Sequence, residues 1–359
     1  MNIETFHRYL QGALRSKASD IHFKPGMPAA FRIQKQLRPT SGEPLTGADT
    51  KDIAGFVIRE KDVLDTLDTL QDFDTSYMVT GMARFRVNIF RQKGELALVL
   101  RTIPDQVPTF EDLLLPPQVE DLANYEHGLV LITGATGTGK SSTLASIIRH
   151  INANRSCHII TIEDPVEFVH QNNRSSVSQR EVRTDTSDFN RALRAALRQD
   201  PDVILVGEMR DLETIDIALK AAETGHMVYS TVHTPDVSKT IGRLIGVFPR
   251  EEQNMVRIRL AENLRGIMSQ RLVPRADVSG MIVATELMKM TGTVEDAIRN
   301  PELTPNIKDI MEKSREQYGM MSFDQSLTDL YRGGLITLQT AKRFASNASD
   351  FERALHFEE

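Results

Sequence analysis

The stretch that decides the fold is Leu129-Val-Leu-Ile-Thr-Gly134-Ala-Thr-Gly-Thr-Gly-Lys140-Ser141-Ser142, an apolar run, a glycine-rich turn and the start of a helix-like segment over 142–151. Glycines let the backbone bend so that successive N–H groups converge on an anion, and a helix that begins at once adds its N-terminal dipole. The pattern reads as a cradle for a nucleoside triphosphate, with Gly134, Thr136, Gly137, Thr138, Gly139 and Ser142 around the phosphates. Lys140 neutralises the outer phosphates, and the Ser141 hydroxyl holds Mg²⁺. The fixed positions recur by accident in about 1% of chains this long, so the flanking strand and helix make the match specific.

Outward from the cradle, apolar runs at 129–132, 158–162, 203–206, 227–232 and 281–284 alternate with helix-like segments. This predicts a mostly parallel sheet covered on both faces, beginning at about residue 118. One of the helices is expected over 187–199, with Phe189, Leu193, Ala196 and Leu197 on its apolar side and Arg191, Arg194 and Arg198 on another. From about residue 293 the chain is polar and helix-like, a helical C-terminal appendage. Residues 1–102 have a different texture: strand-like runs at 31–33, 85–90 and 96–100, a helix near 50–70 and an amphipathic N-terminal helix predict a small α+β domain. The proline-punctuated segment 103–117 is taken as the linker to the second domain, over 118–359.

The bulk numbers bound the reading. A chain of 359 residues, 40% apolar and 26% charged, is long enough for two cores. A net charge of −6 argues against a protein that coats nucleic acid. The single cysteine, Cys157, excludes an internal disulfide framework and a cysteine-rich zinc site. With no apolar stretch near the roughly 20 residues that span a bilayer, and no signal-peptide pattern at the N-terminus, the expected location is the cytoplasm, without direct membrane insertion.

Hydrolysis needs acidic groups near the metal and the attacking water. Two strand-like runs end in carboxylates: Val203-Ile-Leu-Val-Gly-Glu208, and Thr161-Ile-Glu163-Asp-Pro-Val-Glu167. In a parallel sheet both ends fall on the edge that carries the cradle. Gly225-His226-Met-Val-Tyr-Ser-Thr-Val-His233 places histidines at both ends of another strand, and His233 suits a sensor of the terminal phosphate or a structural strand end. Arg84, Arg86, Arg91 and Arg101 line strand-like runs of the first domain; by composition alone they form an ordinary solvated face. Arg174, Arg180, Arg183, Arg191, Arg194 and Arg198 lack interleaved aromatics to stack bases and suggest a subunit contact or a phosphate-facing loop.

Taken together, these motifs resemble the type II/type IV secretion ATPase superfamily, and within it the PilT/PilU-type retraction ATPases of type IV pili. Ser19-Asp-Ile-His22 and Arg84-Phe-Arg-Val-Asn88 resemble its N-terminal segments, and Gly134 to Ser142 its Walker A box. Ile162-Glu-Asp-Pro-Val-Glu-Phe-Val-His170, Asp200 to Thr214, and Gly225 to Thr234 resemble its aspartate box, Walker B region and histidine box, in family order. The resemblance implies an α/β fold, with a PAS-like N-terminal domain and a RecA-like P-loop ATPase core. It further implies a homo-hexamer that hydrolyses ATP with Mg²⁺ to drive pilus retraction, and an inner-membrane pilus platform protein as partner at the cytoplasmic face of that membrane. It assigns Arg86 and Arg101 to the terminal phosphate, Glu163 to activating water, and Glu208 to Mg²⁺ through its waters. Ala297-Ile-Arg-Asn300 resembles the start of the family's C-terminal retraction motif, but Pro301-Glu-Leu-Thr-Pro departs from its apolar-basic continuation, and Lys313-Ser-Arg-Glu-Gln317 and Ser322-Phe-Asp-Gln-Ser-Leu-Thr-Asp-Leu-Tyr331 look closer to an accessory PilU-type paralogue. The other alternative is a RecA-like nucleic-acid translocase, against which net acidity and scarce stacking aromatics weigh.

Overall fold

The computed structural model describes residues 1–34, 36–103, 106–278 and 280–357. They form two compact units, 1–106 and 107–359. The first contains α1 (Ile3–Arg15), β1 (Asp20–Phe23), β2 (Ala30–Ile33), β3 (Gln36–Pro39), α2 (Gly47–Val57), α3 (Lys61–Asp65), β4 (Asp72–Val79), β5 (Ala83–Gln92) and β6 (Glu95–Ile103). Its strands make one antiparallel sheet in the order β3-β2-β1-β6-β5-β4. Along β5 the residues alternate: Phe85, Val87 and Ile89 enter a core with Phe6, Leu10, Phe23 and Ile53, while Arg84, Arg86 and Asn88 take the other face. The helix expected near 50–70 is two helices. α2 begins with a capping box between Thr46 and Asp49 and stops where Ile58 turns extended, at ψ 130°.

The second unit runs α4 (Val119–Ala123), β7 (Gly128–Thr133), α5 (Lys140–Asn154), β8 (His158–Glu163), β9 (Ser176–Glu181), α6 (Phe189–Ala196), β10 (Val203–Val206) and α7 (Leu212–Glu223). It continues with β11 (Met227–Val232), α8 (Val237–Gly246), α9 (Gln253–Asn263), β12 (Leu264–Pro274) and β13 (Met281–Lys289). The C-terminal layer is α10 (Gly292–Arg299), α11 (Ile307–Lys313), α12 (Arg315–Tyr318), α13 (Phe323–Arg332), α14 (Leu338–Phe344) and α15 (Ala348–Phe357). The sheet order is β13-β12-β7-β11-β10-β8-β9, and neighbours are parallel except β12 with β13.

β7, β10 and β11 are buried at every residue, which is why they read as unbroken apolar runs. Helices cover both faces: Ile215, Ala218 and Leu244 pack on one side, Leu144, Ile147 and Ile148 on the other. Tyr229 is fully buried, and its hydroxyl donates to the Leu122 carbonyl at 2.9 Å, tying β11 to α4. On α6, Asp188 accepts the Arg191 N–H as cap, Leu193 and Ala196 are buried as the periodicity predicts, and Arg194 pairs with Glu213 at the surface. Upstream of α4, Phe110 stacks on His150 and Leu115 is buried. Strands β9 and β12 have no counterpart among the apolar runs. β9 turns Gln179 and Glu181 inward, and β12 carries Arg265, Gln270 and Arg271.

Candidate functional site

Parallel strands all deliver their carboxyl ends to one edge, and there β7, β8, β10 and β11 hand over to the loops that surround a cavity of about 440 Å³. The cradle forms its floor. Gly134, Gly137 and Gly139 have φ of +144°, +80° and +90°, values that L side chains rarely adopt, and Gly139 is the residue from which α5 starts. A Cβ on Gly134 would lie 2.6 Å from both the Gln270 carbonyl oxygen and Thr138 Oγ1. Thr138 is itself fixed, its hydroxyl donating to the Ala135 carbonyl at 2.8 Å.

Lys140 sits in the first turn of α5 with only 7% of its surface exposed, and its Nζ donates to the Gly134 and Ala135 carbonyls, both at 2.9 Å. Burial lowers its pKa, while the carboxylates of Glu167 and Glu208 oppose that shift. Ser141, Ser142, Thr136, Gly137 and Gly139 line the same cavity.

Glu163, the last residue of β8, is half-buried, and its Oε1 accepts from Thr161 Oγ1 at 2.7 Å and from Gln179 Nε2 at 3.2 Å. Burial pushes its carboxyl up to about 7, and the neighbouring Glu167 charge adds to the rise; the bonds from Thr161, Gln179 and the Glu167 backbone pull the other way. A carboxyl with that proton affinity takes and returns protons near neutrality. Glu208, two residues past β10, is held between Arg210 Nε at 2.5 Å and His233 Nε2 at 3.3 Å. His233 is held out by β11, whose Thr231 hydroxyl donates to the Gly207 carbonyl at 2.7 Å.

The structure thus brings Lys140, Ser141, Glu163, Glu208 and His233 around one cavity. Arg86 and Arg101 belong to the first unit, where they are direct cross-strand partners on β5 and β6. Arg101 is paired in turn with Asp20 on β1, and Asp20 with Arg32 on β2, so the row across the sheet runs Arg86, Arg101, Asp20, Arg32. Arg101 Nε donates to Asp20 Oδ1 at 3.0 Å, and Arg32 Nε lies 3.5 Å from Oδ2. His226, at the other end of β11, has its Nδ1 within 3.0 Å of the Ala221 carbonyl, away from the cavity lining.

Three contributors escape a reading of the sequence by motif. Arg210 lies just past the strand-end acid, a position where a charge is itself a signal. Gln179 and Thr161 stand behind Glu163, and nothing local distinguishes them from other polar strand residues.

A family model described as "Type II/IV secretion system protein" matches residues 2–342. A Pseudomonas aeruginosa protein named "Type IV pilus retractation ATPase PilT" is 41% identical over 334 residues, which cover 93% of this chain and 96% of that protein. The same organism's "Type IV pilus ATPase PilU" is 38% identical over 345 residues, covering 96% and 90%. Among solved structures, a crystal structure of the pilus retraction motor PilT with bound ADP aligns with a TM-score of 0.88 at 42% identity, covering 98% of this chain and 99% of that one. The ATPase DotB of Legionella pneumophila aligns with a TM-score of 0.82 at 30% identity, covering 95% of each chain. With a glycine-rich cradle, two strand-end carboxylates and a histidine-tipped strand in one cavity, the chain belongs to the type II/IV secretion system protein family.

Proposed function

We propose that this chain is an ATP hydrolase that drives retraction of type IV pili, working as a homo-hexamer docked to a platform protein at the cytoplasmic face of the inner membrane. The observation that carries the reading is the convergence of the Lys140 cradle with Glu163 and Glu208 in a chain 41% identical to a PilT over 93% of its length. In this reading the N–H groups from Gly134 to Ser142 and the N-terminus of α5 hold the phosphates, and Lys140 exchanges its loop carbonyls for phosphate oxygens. Glu163 takes the proton of the attacking water, His233 senses the terminal phosphate, and Arg86 and Arg101 bring positive charge to it.

Ser141 and Glu208 suit Mg²⁺, a hydroxyl beside the phosphates and a carboxylate able to hold the ion's waters. When bound, the ion supplies charge neutralisation across the terminal phosphates. No helix among the described residues is long and apolar enough to cross a membrane, which fits a motor that docks to its membrane partner.

The test is complementation in a host lacking its retraction ATPase, with pilus retraction and ATPase rate both measured. The wild-type chain restores both, while Glu163→Gln binds ATP and restores neither. Near-normal turnover by Glu163→Gln would remove the assigned role. A second reading, an accessory ATPase beside a principal motor, is favoured by the 38% identity to PilU over 96% of the chain. It predicts retraction only when a second pilus ATPase is present.

A further inference from the structure

The segment 164–170, between β8 and the return to β9, carries Asp164, Glu167 and His170 into the cavity. It has no strand of its own, so its backbone groups need partners elsewhere. β9 supplies them. Glu181 Oε2 accepts the Val166 N–H at 2.8 Å, Gln179 Oε1 accepts the His170 N–H at 2.8 Å, and Gln179 Nε2 donates to the Phe168 carbonyl at 2.9 Å. The other contact of that Nε2 is with Glu163 Oε1, at 3.2 Å. Gln179 and Glu181 lie two apart and so share one face of β9, in register with Thr161 and Glu163 on β8.

We infer that Gln179 is a positioning residue for hydrolysis: its one amide fixes both the acid-bearing loop 164–170 and the carboxylate of Glu163, so that loop position and the base are set together. The inference deepens, and rests on, the reading of Glu163 as the base. Three features of the geometry carry it. Gln179 stands behind Glu163 rather than in the cavity lining, so it acts through Glu163 and the loop and not on the ligand. An amide is the side chain that donates and accepts at once, and here both halves are used on different partners. Finally, Glu163 Oε1 accepts side-chain bonds from Thr161 and from Gln179, so each holds a share of its orientation.

A donor to the ionised carboxylate favours that form, and its removal raises the proton affinity of the base. The charged or titratable groups that share the cavity with Glu163 are Asp164, Glu167 and His170 on the loop, Lys140 on α5, Glu208 and Arg210 after β10, and His233 after β11; Arg183 pairs with Asp164, and Glu181 faces the loop from β9. Burial pushes His170 down to about 4, so it is neutral throughout the range of interest.

The experiment measures steady-state ATPase rates of the full chain from pH 5.5 to 9.5 for wild type, Gln179→Met, Gln179→Glu, Thr161→Val and Glu163→Gln, with the KM for ATP at each pH. Gln179→Met should move the acidic limb of kcat upward by about one pH unit, because it deletes one charge-assisted bond of fixed geometry. With a base that titrates near 7, kcat then falls about fivefold at pH 7 and recovers to within about a tenth of wild type at pH 9. Gln179→Glu keeps an acceptor for His170 but sets a second negative charge beside Glu163, so its limb moves further. Thr161→Val moves the limb without disturbing the loop, leaving KM unchanged.

A uniform loss of kcat at every pH, or a limb that stays in place in both Gln179 variants while Glu163→Gln is inactive, overturns the inference and leaves Glu163 as base. Normal turnover by Glu163→Gln overturns the underlying reading instead. If Gln179→Met fails to fold, Gln179→Glu and Thr161→Val still decide the direction of the shift.

Discussion

Alanine at two cradle glycines, Gly134 and Gly137, should give unequal losses, and the inequality is fixed by the surroundings of each. Both hold positive φ, +144° and +80°. At Gly137 a Cβ meets no atom within 4 Å, so Gly137→Ala carries backbone strain alone, about 1–2 kcal/mol for an L-residue in the left-handed region. At Gly134 the backbone strain is about 1–3 kcal/mol, and the new Cβ also lies 2.6 Å from the Gln270 carbonyl of β12. That oxygen belongs to a strand inside the sheet and has no rotamer by which to withdraw. Overpacking of this kind adds about 1–3 kcal/mol, so the Gly134 variant loses about 2–6 kcal/mol in total. The loss is divided between folding and binding according to whether the loop or the sheet gives way. Calorimetric titration with ATP, combined with urea unfolding of the same samples, measures both shares. The summed loss for Gly134→Ala should exceed that for Gly137→Ala by about 1 kcal/mol or more, about fivefold or more in the equilibrium constant. Equal losses, or a Gly134→Ala variant that binds and unfolds like wild type, would refute the packing argument.

Lys140→Ala should weaken ATP binding by about tenfold or more and abolish turnover, because it removes the charge that reaches the phosphates; filter binding and a phosphate-release assay check it. Arg101→Ala should lower kcat about a hundredfold with little effect on the unfolding midpoint: its side chain is 67% exposed, its removal takes away a like charge at the position directly across from Arg86, and Asp20 keeps Arg32. Glu286 is buried on β13, accepts the Val237 N–H at 2.8 Å, and burial pushes its carboxyl up from 4.5 to about 7. A raised carboxyl pKa means that the folded protein holds the proton more tightly than the unfolded chain. The stability this gives is full below pH 4.5 and lost as pH rises through 7, about 3 kcal/mol in all. Urea unfolding at pH 5 and pH 8 should show wild type weakening more than Glu286→Gln; a parallel fall in the two proteins would exclude Glu286 as a source.

What could be read from the residues follows burial on two faces. β7, β10 and β11 announce themselves as apolar runs because helices cover both sides, and the glycine-rich turn needs residues that no other chemistry demands in that order. Glu163 and Glu208 were legible as strand ends, since a parallel sheet puts all such ends on one edge. β9 was not, because its inward residues Gln179 and Glu181 are polar: they face loop backbone that needs acceptors and donors rather than a greasy neighbour. β12 was hidden by Arg265, Gln270 and Arg271; Arg271 donates to the Phe344 carbonyl, and Gln270 Nε2 reaches Thr143 Oγ1 at 2.7 Å, 127 residues away in sequence. The pairing of Arg86 with Arg101 depends on strand register, which a list of arginines does not contain.

That register carries a consequence for how the protein responds to its buffer. Three arginines and one aspartate lie side by side across four strands of the N-terminal sheet, with Arg86 and Arg101 directly opposed. Such a row carries net positive charge, and multivalent oxyanions quiet the repulsion between its like charges more than chloride does at equal ionic strength. The heat resistance of this unit therefore depends on which salt is dissolved, and sulfate or phosphate should protect it beyond what their general exclusion from protein surfaces accounts for.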